Sequence, residues 1–272
     1  MSSNLQTIYY GSGEEPKPAI NPEHLRLYSH ELCPFVERSV LALRAKEIPF
    51  QLCQTDLEVK AEWHMKLNGG LIPVLESPDG TLVNESGFIS EFAGNFAPAG
   101  QGLAFWPHET APKGDVAANM QTVKHKLQMQ RFDKLAFIWW APYMAAFKDA
   151  EKNAAMVAKF PEIEAFMKDN MGEASFLSGT DKPMYIDMHA FPMVERIILL
   201  EYSHPDIWRD LDIKAHLPIS YEYVHRMMEY PHFRNYHASP EAWVEHCKMQ
   251  DARTDGIKQQ LRITYLNREK YN

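Results

Sequence analysis

Cys33-Pro34-Phe35 is the segment of this sequence best suited to chemistry. It follows a strand-like stretch, Leu25-Arg26-Leu27-Tyr28-Ser29, and opens a helical pattern in which Val36, Val40 and Leu43 recur at i, i+4 and i+7. Proline is favoured at a helix's first position, where its missing N–H had no partner anyway. A cysteine just before it sits where unpaired N–H groups and the helix dipole favour an anion. A free thiol has a pKa of ~8.5, which can fall to ~3.5–7.5 at a helix N-terminus, and only the thiolate attacks disulfides or electrophiles. Val36 stands where a second cysteine would complete a dithiol. A local disulfide is therefore unavailable, and an outside thiol must resolve any mixed disulfide. Position alone leaves open that Cys33 is a buried, inert thiol, which is common for this residue type.

Three other places carry groups that could hold a ligand, each with an ordinary structural alternative. Ile72-Pro73 reads as a trans proline starting a strand, or as a cis bond that exposes the Ile72 backbone to a ligand. Glu85-Ser86 lies at a strand-to-helix junction. Its N–H groups and hydroxyl could hold a carboxylate while Glu85 binds an ammonium, or Ser86 could simply cap the helix. Lys60, near Trp63, is a solvated surface lysine or a carboxylate clamp. His30, three residues before Cys33, is a loop histidine or a helper of the thiolate. The twelve histidines include no H-E-x-x-H and no clustered Cys/His spacing, so no metal site is expected.

The elements that must position these residues follow from the texture of the chain. Residues 1–24 carry Gly11, Gly13, Pro16, Pro18 and Pro22 and read as an extended N-terminal arm. Residues 25–98 give strand, helix, strand (Phe50 to Gln54), helix (around Ala61–Leu67), two strands joined by Pro78-Asp79-Gly80, and a helix from Ser86 to Phe96. The first β–α–β unit should be a right-handed parallel crossover, and the last two strands antiparallel. This is the thioredoxin-like order. Residues 99–113 form a linker with Gly100, Gly102, Pro107 and Pro112. Beyond it hairpin signals stop, and helical patterns run over roughly 114–147, 149–170 and 187–203, with shorter ones to 250; residues 251–272 are a C-terminal tail. The fold class is α/β followed by all-α. Phe137, Ile138, Trp139, Trp140 and Tyr143 read as aromatic core packing, with a substrate wall as the alternative.

Composition narrows the function. A net charge of −8 argues against a partner bound by neutralising nucleic-acid phosphates. The apolar run Leu135–Phe147 is too short to span a bilayer and contains Pro142, so no membrane partner is expected. Met1-Ser2-Ser3-Asn4 lacks the features of a secretory signal. Cys33, Cys53 and Cys247 cannot all pair within one chain, which favours a reducing compartment, so a cytoplasmic location is expected.

Leu25 to Pro98 resembles the glutathione-binding domain of cytosolic glutathione transferases, and most of all the omega class, whose mark is a catalytic cysteine in Cys-Pro-Phe or Cys-Pro-Tyr. Glu37-Arg38, Ala45-Lys46, Pro73-Val74-Leu75-Glu76 and the proline-containing arm are also similar to that class. The likeness reaches the helical domain more thinly, at Ile186-Asp187 through Pro192, Glu195-Arg196 and Trp243. It implies glutathione as co-substrate, with Cys33 the nucleophile that forms a mixed disulfide. Phe35 and Leu57 would line the site, and Lys60 would meet the glycine carboxylate. Ile72, next to a cis-Pro73, would pair its backbone with the cysteinyl part, and Glu85 and Ser86 would hold the γ-glutamyl end. Arg196 and Trp243 fall where the class lines its open pocket for a small oxidised or electrophilic co-substrate.

The resemblance further implies a homodimer and thioltransferase or dehydroascorbate-reductase-type chemistry. Conjugation to small electrophiles, or a non-enzymatic binding role like that of the chloride-intracellular-channel proteins, are the alternatives. Two departures stand out. Met184 replaces the Ser or Thr that caps reciprocally with the aspartate matched by Asp187, leaving Asp187 to act alone. Gly69-Gly70 replaces the commoner Asn-Pro, which is expected to loosen the loop before Pro73.

Overall fold

The computed structural model describes residues 7–10, 16–55, 60–145, 147–234, 240–241, 243–245 and 247–248. Its sheet has five strands, β1 (Ile8–Tyr10), β2 (Leu25–Ser29), β3 (Phe50–Thr55), β4 (Val74–Glu76) and β5 (Leu82–Asn84), in the order β1-β3-β2-β4-β5. β2 and β3 are parallel, with Leu27 opposite Leu52, while β4 runs antiparallel to both β2 and β5. The parallel pairing of the first β–α–β unit and the antiparallel pairing of the last two strands are both as expected. The N-terminal arm is not wholly unpaired as expected, because Ile8–Tyr10 adds a parallel edge strand alongside Cys53–Thr55. Three residues are too few for alternation to show in a sequence.

Register fixes which loops meet. Ser29, at the end of β2, lies opposite Gln54 near the end of β3; Tyr28 lies opposite Val74, the first residue of β4; and Val74 lies opposite Asn84, the last of β5. The segments after β2, after β3, before β4 and after β5 therefore share one end of the sheet. Those segments carry Cys33, Lys60, Ile72-Pro73 and Glu85-Ser86.

Helices α1 (Pro34–Ala45), α2 (Glu62–Asn68) and α3 (Ser86–Phe96) complete this layer. The segment over 99–113 is docked rather than free. Leu103 N–H donates to the Ala45 carbonyl at 2.7 Å, and Lys46 pairs with Glu109 at 2.7 Å. Gly102 permits this approach: at φ +63° a Cβ there would lie 2.0 Å from the Ala45 oxygen.

The helical layer comprises α4 (Val116–Ala136), α5 (Trp140–Met144), α6 (Ala150–Val157), α7 (Phe160–Met171), α8 (Tyr185–Ile198), α9 (Leu200–Ser203), α10 (Pro205–Asp210), α11 (Ile213–His216) and α12 (Pro218–Glu229). All three long helices expected from periodicity are broken: the one over 187–203 at Leu199, the other two next to a proline. A 3-10 turn at Phe137–Trp139 precedes Pro142, whose ring would crowd the Ile138 carbonyl of a continuous helix. Pro161 starts a new helix at α7, splitting the run expected over 149–170. α8 is buried on every side, and α1 packs between it and α3. One apolar cluster runs from Leu27, Leu41 and Leu52 through to Ile186, Phe191 and Val194, so both layers share a core.

Candidate functional site

Cys33 is the N-cap of α1, in an extended conformation that ends one chain direction and begins the helix. Its own N–H donates to the His30 carbonyl, and its carbonyl accepts the Glu37 N–H, both at 3.0 Å. The half-buried thiol faces opposed influences. Burial pushes it up, while the N–H groups of Val36 and Phe35 and the charge of Arg196 pull it down; Glu37 adds a further upward push. Burial prevails. The helix N-terminus thus supplies the expected donors, and burial still pushes the thiol above its ordinary value. His30 is buried, and burial followed by the Arg196 charge lowers it to about 4. Its Nδ1 accepts the Leu32 N–H at 3.3 Å, so this neutral imidazole shapes the loop and brings no charge to the thiolate.

The other expected residues arrive at the same end of the sheet by the register described above. The Ile72–Pro73 bond is cis, and Ile72 is half-buried. Gly69 and Gly70 both have positive φ, 60° and 72°, so glycine shapes this turn rather than loosening it. A Cβ on Gly70 would lie 2.8 Å from the Lys60 Cδ, so the stem of Lys60 lies over the residue two before Ile72. Glu85 is exposed and, at φ 68°, is strained for a residue with a side chain. It holds the N-cap position of α3 without a side-chain cap bond, and Ser86 is the first helical residue. Ser86 is therefore part of the helix and not its cap. Leu57 lies outside the described residues.

Phe35 is half-buried with the Arg38 guanidinium 5.5 Å from its ring and Phe137 at 6.1 Å. Phe137 is 51% exposed and Trp140 39%, so the expectation that this stretch is all core is corrected: part of it stands open beside Phe35. Arg196 and Trp243 are corrected in the opposite sense. Expected to line an open pocket, each is 1% exposed. Arg196 donates to the Leu32 carbonyl at 3.2 and 3.4 Å and to Glu37 at 2.6 Å, pairs with Glu195, and lies 5.5 Å from the Trp243 ring. Together they form a floor under the cysteine loop.

Sequence reasoning assigned no role to Glu37, Glu195, Asp133 or His189. Arg38 donates to the His189 carbonyl at 2.7 Å and to Asp133 at 3.1 Å, and Asp133 also meets His189 Nε2 at 2.7 Å. The consecutive residues Glu37 and Arg38 are thus both held by the helical layer. The available signal was charge within segments otherwise apolar, because buried charges are found paired. Asp187, at the first turn of α8, accepts N–H groups from Leu177, Met184 and Ser178 at 2.7, 2.9 and 3.3 Å. Among the described residues no group of His, Cys, Asp and Glu could hold a metal, and no helix is long and apolar enough to cross a membrane.

With this geometry in hand, the likenesses to known proteins are specific. The family model for the glutathione S-transferase N-terminal domain matches residues 32–95, which hold Cys33, Ile72-Pro73 and Glu85-Ser86. Mouse (Mus musculus) glutathione S-transferase omega-1 is 29% identical over 199 residues, covering 70% of this chain and 74% of that protein. Among solved structures, a trimeric glutathione transferase from Leishmania superposes with a TM-score of 0.69 at 21% identity, over 86% of this chain; the chain spans only about half of that protein, 49%. A rice glutathione transferase in complex with glutathione gives a TM-score of 0.65 at 18% identity, over 85% and 98% of the two chains. The chain thus carries a glutathione S-transferase N-terminal domain over residues 32–95 and has the glutathione transferase fold, and its curated relatives are omega-class glutathione transferases.

Proposed function

We propose that the chain is a glutathione-dependent thiol transferase and reductase of omega type, with Cys33 as its nucleophile. The observation that carries this reading is the convergence at one sheet end of a cysteine at a helix N-terminus, a cis Ile72–Pro73 bond and the exposed Glu85. The tripeptide has two carboxylates and one ammonium, and the residues present match that pattern. Lys60 suits the glycine carboxylate. The Ser86 hydroxyl and the α3 N–H groups suit the γ-glutamyl carboxylate, and Glu85 suits the ammonium. The Ile72 backbone would align the cysteinyl part.

In the proposed cycle the Cys33 thiolate attacks the glutathione sulfur of a mixed disulfide. The old S–S bond breaks, the substrate leaves as a thiolate that takes up a proton, and Cys33 is left joined to glutathione. A second glutathione thiolate attacks that bond, releasing glutathione disulfide and restoring Cys33. The net change is one mixed disulfide and one glutathione converted to the substrate thiol and one glutathione disulfide. Phe35 with Phe137 would wall the co-substrate. A reducing, cytoplasmic setting would supply the second glutathione.

Incubation with glutathione disulfide followed by intact mass is the test. One glutathione adduct is expected on the native chain and none on Cys33→Ala, with turnover lost in that variant. An adduct of the same extent on Cys33→Ala would defeat the reading. Conjugation is the second reading, favoured by the upward push on the thiol, since a protonated Cys33 could hydrogen-bond a bound glutathione thiolate. We also propose a homodimer. Val116, Met120, Val123 and Leu127 form an exposed apolar row on α4, and Phe88 and Phe96 on α3 are exposed too. A single monomer mass in sedimentation would refute it.

A further inference from the structure

We propose that Arg196 is the positioning residue of Cys33: from α8 it grips the carbonyl just before the cysteine and the carboxylate one turn after it, so that the helical layer sets the reactivity of a thiol in the other layer. The inference rests on the proposed role of Cys33 as the reacting group.

The contacts are particular. Two guanidinium N–H groups converge on the Leu32 carbonyl, at 3.4 Å from Nε and 3.2 Å from Nη2, and Nη2 also donates to Glu37 Oε2 at 2.6 Å. Leu32 and Glu37 bracket Cys33 in the chain, and their only shared partner among these bonds is Arg196. A guanidinium can serve both at once because its donors lie in a rigid planar fork, whereas an ammonium is a point donor on a flexible stem.

The cluster is also walled from water. The Arg196 side chain is 0% exposed, and the side chains of Glu37 and Glu195 are 2% and 0%. The Trp243 ring covers the guanidinium and packs with Leu32, Leu199 and Cys247 in one apolar group. In so dry a place a charge acts strongly on its neighbours.

Glu37 and Glu195 both pair with the Arg196 guanidinium, beside a thiol that must become an anion. The charged and titratable groups around Cys33 are His30 and Glu31 from its own loop, Glu37 and Arg38 from α1, and Glu195 and Arg196 from α8. His30 is neutral near pH 7, since burial holds it near 4. The balance between Glu37 and Arg196 is therefore the adjustable one, and it agrees in sign with the direction in which each moves the Cys33 thiol.

The test needs no glutathione. Iodoacetamide alkylation of the full chain is followed by intact mass from pH 6 to 10, with Cys33→Ala setting the background from Cys53 and Cys247. Glu37→Gln keeps the shape and an acceptor for Arg196 but removes the negative charge. It should lower the midpoint of the alkylation profile by about one unit. The rate at pH 7 should rise about threefold, because a tenfold gain in thiolate is offset by nucleophilicity that falls with pKa. Arg196→Met removes the positive partner and should raise the midpoint.

If Arg196→Met fails to fold, Glu37→Gln decides alone. A folded Glu37→Gln chain whose midpoint is unmoved or higher overturns the proposal, as a purely structural clamp would leave the profile in place. The two readings separate cleanly. Native chain that takes a Cys33 glutathione adduct while Glu37→Gln leaves the midpoint unmoved keeps the function and loses the clamp. A midpoint that moves in a chain forming no adduct keeps the clamp and loses the function.

Discussion

Replacing Asp187 tests how much of the helical layer hangs on one carboxylate. Asp187 is fully buried at the first turn of α8, and its two oxygens take three backbone N–H groups, at 2.7 Å from Leu177, 2.9 Å from Met184 and 3.3 Å from Ser178. The Tyr223 hydroxyl approaches the same side chain at 3.4 Å. Alanine would leave the two shorter donors, and in part the third, buried without a partner, and each such group costs about 1–3 kcal/mol. The sum is about 3–6 kcal/mol, a large share of the ~5–15 kcal/mol that keeps a domain folded. Asparagine keeps one acceptor oxygen but turns an N–H₂ toward a backbone donor, so it should cost less than alanine, about 1–3 kcal/mol. At ~2–4 °C per kcal/mol for a chain of this size, Asp187→Ala should lower the melting temperature by about 6–24 °C. The assay is urea and thermal unfolding followed by far-UV circular dichroism, with α8's two contacts to α1, through His189 and Arg196, checked by the Cys33 alkylation rate. A loss under about 1 kcal/mol for Asp187→Ala would refute the reasoning, because it would mean that water or other groups satisfy those three donors.

Two further outcomes follow from the same accounting. Burial first, then the Arg196 charge for His30 and the Lys60 charge for His64, holds both histidines near 4 in the folded chain, against ~6.5 when unfolded. The unfolded chain therefore binds protons that the native chain refuses as pH falls from 6.5 toward 4, and stability is lost across that window, by about 2 kcal/mol per histidine at pH 5. His64→Gln should flatten the dependence of the urea midpoint between pH 7 and 5 by one proton's worth; an unchanged slope would count against it. Glu85→Gly should relieve a positive-φ strain of about 1 kcal/mol or more while removing the carboxylate proposed for the glutathione ammonium. A rise in melting temperature with a weaker KM for glutathione is expected, and a melting temperature that falls would contradict the strain.

The division between what the sequence makes legible and what it hides follows the range of the interactions. Cys33 at the start of α1, the hairpin across Pro78-Asp79-Gly80 and the helix at Ser86 are written in neighbouring residues, through caps, turns and short periods. The convergence of Cys33, Ile72 and Glu85 is also legible, one step removed: once two strands are parallel to each other and one is antiparallel, the strand ends that carry those residues must coincide. Ile8–Tyr10 is hidden because it is a strand only by virtue of the edge of β3 it pairs with. The roles of Arg196 and Phe137 are hidden for a stronger reason. Arg196 meets Glu37 across 159 positions in sequence, and Phe137 meets Phe35 only after the 3-10 turn before Pro142 rotates it outward.

The resemblance set Arg196 in a pocket wall, yet the physics of its own helix points elsewhere. α8 carries Asp187, Glu195 and Arg196 with every residue buried, and charges cannot stay in such a helix unless partners come from another element. α1 repeats the pattern, with Glu37 and Arg38 among Val36, Ser39 and Val40, all buried. Each of these helices carries a buried Glu-Arg pair, and they meet through Arg196 and Glu37, while Arg38 turns to Asp133 and the His189 carbonyl. That pairing ties the loop of Cys33 to the helical layer.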